Sequence, residues 1–257
     1  MKPVYGRFSW FDLLTTDPEG ARRFYEAVIG WTDVPCDGGT YHQFRVGSAG
    51  VGGVMALPAH VRAGGVPPHW LGHVTVANVA ETVERAQRLG AALVLPSTEV
   101  PGVGRFAVLA DPQGAAFAVA MMDHECPEPW DTSGPGFFAW AELHTSDREA
   151  AWRFYAELFG WVTTGSFSMA PRWGTYLMFG PRPDHAWGGM FEGAKVEGVP
   201  PYWQHVIRVA DADEAARRVV AHGGRIVAGP ADIPVGGGRV AQCLDPQGSV
   251  FGIASGT

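Results

Sequence analysis

The stretch F-S-W-F-D-L-L-T-T-D-P-E-G-A-R-R-F-Y-E-A-V-I-G-W, Phe8–Trp31, returns as F-A-W-A-E-L-H-T-S-D-R-E-A-A-W-R-F-Y-A-E-L-F-G-W, Phe138–Trp161. At an offset of 130, 12 of the 24 positions are identical, including Trp10/Trp140, Asp17/Asp147, Phe24/Phe154, Tyr25/Tyr155 and Gly30/Gly160. The chain is therefore an internal duplication.

Each copy of the stretch reads as strand then helix. Asp17, followed by Pro18 and Glu19, supplies an N-cap, a proline at the first helical position and an early carboxylate at the positive end of the helix. Ala21, Phe24, Tyr25 and Val28 form a stripe with the spacing of one buried helical face, and Gly30 stands where a C-terminal cap belongs. The second copy repeats this with Asp147, Ala151, Phe154, Tyr155, Leu158 and Gly160.

Working outward, Gly102–Phe117 matches Gly236–Phe251 at 9 of 16 positions, and both segments carry Asp-Pro-Gln-Gly, at 111–114 and 245–248. A single glycine after Asp-Pro makes a β-turn, and no helix N-terminus follows to form a phosphate site. Strands are predicted at Tyr41–Val46, Gly52–Leu57, Trp70–Ala77, Ala92–Leu95, Arg105–Ala110 and Ala115–Ala120, with a second helix near Glu81–Leu89. The order β, α, several β occurs twice per copy, giving four βαβββ-like units. Asp123–Gly136, rich in proline and glycine, reads as a linker between domains at residues 1–122 and 137–257.

Composition narrows the function classes. With 257 residues and 46% apolar content the chain can bury two ordinary cores. A net charge of −7 without a basic run argues against nucleic acid. No apolar window is long enough to span a bilayer, so no membrane partner and a cytoplasmic location are expected. Cys36, Cys126 and Cys243 are too scattered for a disulfide framework or a structural zinc site.

The opening run F-S-W-x-D-L-x-T-x-D with A-x-x-F-Y-x-x-x-x-G-W, and the closing G-R-F-x-V-x-x-D-P-Q-G-x-x-F, resemble the signatures of the vicinal oxygen chelate superfamily. That superfamily contains glyoxalase I, extradiol dioxygenases and bleomycin-resistance proteins, and the arrangement is similar to two-domain glyoxalase-like proteins of actinobacteria. The resemblance implies an α+β fold of tandem glyoxalase-like domains. Its four βαβββ modules would form two cupped mixed sheets with helices outside and the ligand in the concavity.

Strand alternation then assigns faces. Phe11 and Leu13 should meet the helix, leaving Trp10, Asp12 and Leu14 on the concave side. In the second copy Ala139, Ala141 and Leu143 meet the helix, leaving Trp140, Glu142 and His144. Leu71, His73 and Thr75, and their counterparts Gln204, Val206 and Arg208, are likewise expected to face inward. Glu142 and Arg208 could form an ion pair that merely fixes strands. His205 is expected against a helix, and His42, His60, His69, His124, His185 and His222 in structural or solvated places.

Metal-dependent relatives place His, Glu or Gln ligands on these strands. The corresponding residues here are Trp10, Trp140, Ala118, Gly252, His73 and Val206, and only His73 can donate a lone pair. No cofactor and no metal ligand are therefore assigned. The leading expectation is binding, or metal-independent acid/base transformation, of an apolar or aromatic small molecule such as a secondary metabolite or antibiotic. Asp12, Glu142 and His144 are the candidate catalytic groups, the two carboxyls with pKa raised by burial, and Trp10, His73, Trp140 and Arg208 the candidate ligand-binding residues. A rearranged metal site using Asp12, His73, Glu142 or His144 would instead support a glyoxalase-type isomerase, lyase or dioxygenase. A non-catalytic interaction protein with filled cavities is the third reading. A monomer is the default, with a homodimer as the alternative.

Overall fold

The computed structural model describes residues 4–122, 134–234 and 236–256. Most of the expected linker, with His124 and Cys126, lies outside the described residues.

The first copy contains β1 (Phe8–Thr15), α1 (Pro18–Ile29), β2 (Thr32–Cys36), β3 (Tyr41–Val46), β4 (Ala49–Ala56), α2 (Ala59–Ala63), β5 (His69–Thr75), α3 (Val79–Arg88), β6 (Ala92–Val100), β7 (Gly104–Ala110) and β8 (Ala116–Met122). The second contains β9 (Phe138–His144), α4 (Arg148–Phe159), β10 (Val162–Ser168), β11 (Thr175–Gly180), β12 (Gly188–Phe191), α5 (Gly193–Glu197), β13 (Tyr202–Arg208), α6 (Ala212–Ala221), β14 (Arg225–Asp232), β15 (Arg239–Leu244) and β16 (Val250–Ser255). These are four βαβββ modules, with the short helices α2 and α5 inserted between modules of a copy. The strand orders are β2-β3-β4-β1-β5-β8-β7-β6 and β10-β11-β12-β9-β13-β16-β15-β14, so the two sheets have the same topology. The half-exposed strand β2 and the helix α2 are elements that periodicity did not announce, because neither buries a regular apolar stripe.

Local signals are realised where they were read. The Asp17 carboxylate accepts a hydrogen bond from the Gly20 amide at 2.9 Å, and Asp147 does the same for Ala150 at 2.9 Å. Gly30 and Gly160 end their helices in the left-handed region, with φ of 87° and 73°. Among the described residues no helix is long and apolar enough to cross a membrane.

The chain divides into two compact units, and each takes one module from each copy. One comprises Met1–Ser9, Gly72–Glu128 and Trp140–Gln204; the other comprises Trp10–Leu71, Pro129–Ala139 and His205–Thr257. A repeated hydrogen-bond relay accounts for this exchange. In the second unit Trp70 Nε1 donates to the buried Tyr25 hydroxyl at 2.9 Å, and that hydroxyl donates to Asp245 Oδ2 at 3.3 Å. In the first unit Trp203 Nε1 donates to Tyr155 at 2.9 Å and Tyr155 to Asp111 Oδ2 at 3.0 Å.

Each aspartate belongs to a D-P-Q-G turn and spends its other oxygen inside it. Asp111 Oδ1 accepts from the amides of Gln113 and Ala115, both at 2.9 Å, and Asp245 Oδ1 from Gln247 and Ser249, at 3.0 and 2.8 Å. Burial pushes both carboxyls above their usual range and both phenols well above theirs. Aromatic contacts enclose the relays: Tyr25 lies 5.5 Å from Trp31 and 5.4 Å from Phe251, and Tyr155 lies 5.3 Å from Trp161 and 5.5 Å from Phe117.

His205, expected against a helix, instead contacts aromatic rings of strands. His205 is fully buried edge-on to Phe11 at 4.8 Å. His42 Nδ1 lies 2.6 Å from Asp33, which also pairs with Arg22 at 2.9 Å. Cys36 and Cys243 are free thiols, and burial pushes Cys243 up to about 12.

Tyr25→Phe removes the hydroxyl that satisfies both a buried indole N–H and a buried carboxyl. It should cost about 1–3 kcal/mol of stability, read as a lower urea midpoint with unchanged slope. An unchanged midpoint would show that the relay contributes nothing net.

Candidate functional site

Strand alternation puts Trp140, Glu142 and His144 on the same face of β9, while Ala141 and Leu143 are buried on the other. Trp140 Nε1 donates to the Tyr176 hydroxyl at 2.8 Å, and that hydroxyl donates to Glu142 Oε2 at 2.7 Å. Glu142 Oε1 is 3.0 Å from His144 Nε2. The far nitrogen, Nδ1, is 3.0 Å from the Tyr202 hydroxyl and 3.4 Å from Glu197 Oε1. The imidazole is thus held between two carboxylates.

Aromatic rings surround the cluster. Tyr202 stacks on His144 with centroids 4.4 Å apart, Phe191 meets the imidazole edge-on at 4.6 Å, and Phe167 stacks on Tyr176 at 5.0 Å. The His144 side chain is 4% exposed, while Glu142 and Glu197 retain 21% and 25%. Burial pulls the His144 pKa down, but hydrogen bonds to Glu142 and Glu197 and the attraction of their charges prevail and lift it to about 9. His144 is consequently an imidazolium at neutral pH. The hydrogen bond from His144 in turn holds Glu197 below the usual carboxylate range.

The first copy builds a smaller version. Trp10 Nε1 donates to Asp12 Oδ1 at 3.0 Å and to the Tyr41 hydroxyl at 2.9 Å, and Tyr41 donates to Asp12 Oδ1 at 2.7 Å. Leu14 stands where the second copy has His144. In both copies the tyrosine ring reaches the carboxylate by crossing a glycine. Gly53 is registered with Asp12 and Gly189 with Glu142. A Cβ on Gly53 would lie 1.9 Å from the Tyr41 hydroxyl, and one on Gly189 would lie 2.0 Å from Tyr176 Cε1. Gly193 similarly makes room for His144, since a Cβ there would lie 2.6 Å from Nδ1.

The structure thus joins Trp140 with Glu142 and His144 through Tyr176, and Trp10 with Asp12 through Tyr41. His73 is buried on β5, its ring 5.7 Å from Phe106 and its backbone in register with Ala118. Arg208 ends β13, where its backbone bonds Phe137 and Gly136 at 2.8 and 2.7 Å. Glu142 turns both oxygens to Tyr176 and His144.

Tyr41, Tyr176, Glu197, Tyr202 and the glycines were not found from the sequence. A signal existed for some: Gly-Thr-Tyr at 39–41 recurs at 174–176, and Gly-Gly at 52–53 recurs at 188–189. Glu197 and Tyr202 have no such signal.

At the positions that the sequence resemblance assigns to metal ligands, the residues present offer too few donors to fit a metal. His73 is paired in register with Ala118, and Val206 with Gly252, so a methyl group and a hydrogen stand where a second donor would be needed. Among the described residues no three His, Cys, Asp or Glu side chains converge as a metal set.

Two measurements follow from this geometry. His144 has a folded pKa of about 9 against 6.5 for the free side chain, so its contribution to stability is full below pH 6.5 and is lost as pH rises through about 9. Denaturant melts across that window should show the wild type losing up to about 3 kcal/mol while His144→Gln stays flatter; parallel slopes would contradict the buried imidazolium. Gly189→Ala should drive Tyr176 from Glu142 and destabilise by about 1–3 kcal/mol, with Gly165→Ala, opposed only by the flexible end of Met178, costing less.

Comparison with known proteins agrees with this architecture. A family model described as a glyoxalase-like domain matches residues 10–120, and one described as the glyoxalase/bleomycin resistance protein/dioxygenase superfamily matches 138–253. CFP32 of Mycobacterium tuberculosis, which carries the provisional name glyoxylase, is 31% identical over 252 residues, covering 96% of this chain and 94% of that protein. The anthracycline biosynthesis protein DnrV of Streptomyces peucetius is 32% identical over 266 residues, covering 96% and 92%. Among solved structures, the Mn(II)-bound glyoxalase of Novosphingobium aromaticivorans superposes with a TM-score of 0.69 at 14% identity, over 98% of this chain and 82% of that one. A catechol 2,3-dioxygenase gives 0.67 at 15%, over 99% and 89%. With its duplicated βαβββ modules, and with relatives above 30% identity along nearly the whole chain, this protein belongs to the glyoxalase/bleomycin resistance/dioxygenase superfamily.

Proposed function

We propose that the protein binds an aromatic small molecule of secondary metabolism on the sheet face of the second copy that carries Trp140, Glu142 and His144, and that Glu142 exchanges hydrogen bonds or a proton with it, without a metal. The observation that carries this reading is the state of Glu142. Its carboxylate is fixed through one oxygen by the Tyr176 phenol and through the other by the His144 imidazolium, yet it remains 21% exposed among aromatic rings. Such a group accepts a hydrogen bond or proton from a phenol, enol or ammonium without first reorganising.

His144 then has a positioning role. An imidazolium between two carboxylates does not take up a further proton at neutral pH, but it sets where Glu142 points. Asp12, held by Trp10 and Tyr41, is the lesser counterpart in the first copy. The similarity to DnrV, whose name places it in the biosynthesis of fused-ring aromatic anthracyclines, supports an aromatic ligand.

The test is titration with hydroxylated anthraquinones, followed by tryptophan fluorescence and melting temperature in buffer containing a chelator. Binding should raise the melting temperature, persist in the chelator, and weaken about tenfold in Glu142→Gln, as expected for loss of one charge-assisted hydrogen bond. About one metal per chain by mass spectrometry, with binding abolished by its removal, would replace this reading with a metal-dependent one.

A further inference from the structure

The second-copy cluster has two carboxylates to one imidazole, and on the neighbouring strand an amide oxygen is buried without a hydrogen-bond partner. Gln204 lies two residues beyond Tyr202 on β13, the strand beside β9. Trp203 and His205, which alternate with it, face the aromatic core, Trp203 through Tyr155 and His205 through Phe11. Gln204 therefore shares the Tyr202 face, where Tyr202 stacks on His144. Its side chain is 3% exposed, and its amide oxygen is buried without a hydrogen-bond partner. Leaving such an oxygen unsatisfied is unfavourable, and a ligand donor would satisfy it.

The charges on this face point the same way. Glu142 and Glu197 contribute two negative charges against the single positive charge of His144, leaving this cluster, as distinct from Arg208 at the far end of β13, with a net of −1 among the rings of Trp140, Tyr176, Phe191 and Tyr202. Net negative charge, π faces and an orphan acceptor together suit one chemical group, a cation that carries N–H donors. The first copy lacks this combination, because Leu14 replaces His144 and Leu71 replaces Gln204.

We infer that the second-copy site selects ligands bearing a protonated primary or secondary amine beside an aromatic ring system, with Glu142 and Glu197 drawing the ammonium and Gln204 Oε1 accepting one of its N–H groups. This rests on the aromatic-binding reading above and narrows it to a ligand class. It also assigns Gln204 as a specificity-determining residue.

Three probes separate the parts of the claim by isothermal titration calorimetry at pH 7: 2-naphthylmethylamine, which is charged with N–H donors; its N,N,N-trimethylammonium analogue, which is charged without them; and 2-naphthylmethanol, which is neutral. The wild type should bind the primary ammonium about tenfold more tightly than the alcohol, with the trimethylammonium between them. Glu142→Gln should bring both cations down toward the alcohol. Gln204→Met, which fills the same volume, should weaken only the probes with a donor and leave the trimethylammonium unchanged. Equal affinity for alcohol and ammonium, or a Gln204→Met effect that is the same for all three probes, would overturn the ammonium assignment while leaving aromatic binding intact. Failure of all three to bind would overturn both.

Discussion

A tyrosine hydroxyl buried between an indole and an aspartate, made twice, is the interaction on which the architecture depends. Each such hydroxyl sits on the first helix of one copy and reaches the D-P-Q-G turn that closes the other. The aspartate organises its own turn with one oxygen and recognises the distant helix with the second. A polar group this deep is acceptable only when every partner is present. The relay therefore specifies which modules belong together, while the aromatic rings around it supply the burial energy.

The same economy shapes the functional face. Glycine beside the carboxylate in the neighbouring strand lets a tyrosine ring cross the sheet and hold that carboxylate in both copies. From this common device the second copy has elaborated a charged cluster by recruiting His144 and the α5 residue Glu197. The first copy has kept a single acid under two donors. Duplication preserved the scaffold and left one face free to diverge in charge.

The fold was legible because its determinants are local and written twice: caps at Asp17 and Asp147, glycine stops at Gly30 and Gly160, and turns at Asp111 and Asp245. Alternation along β1 and β9 also placed Trp10, Asp12, Trp140, Glu142 and His144 on their faces. Partners across strands were harder. Tyr41 on β3 and Tyr176 on β11 act from strands whose spacing from β1 and β9 is set by loop length, and the meaning of Gly53 and Gly189 emerges only with the register that lays a ring over them. Glu197 and Tyr202 join the cluster from outside the repeated segments, so comparing the copies could not reveal them. The exchange of modules between copies was open in the sequence, since identical motifs are compatible with either pairing.

That exchange also orders the chain in time. Tyr155 finds Asp111 across 44 residues, whereas Tyr25 must find Asp245 across 220. By loop-closure entropy alone the longer closure costs about 1.4 kcal/mol more, and on a ribosome its second half emerges last. The inner relay of Trp203, Tyr155 and Asp111 is complete while Tyr25 on α1 is still waiting for Asp245. A nascent chain interrupted after the inner unit would thus carry one finished relay and an N-terminal module whose Phe24 and Tyr25 lack Phe251, the state in which a duplicated protein most needs protection from its neighbours.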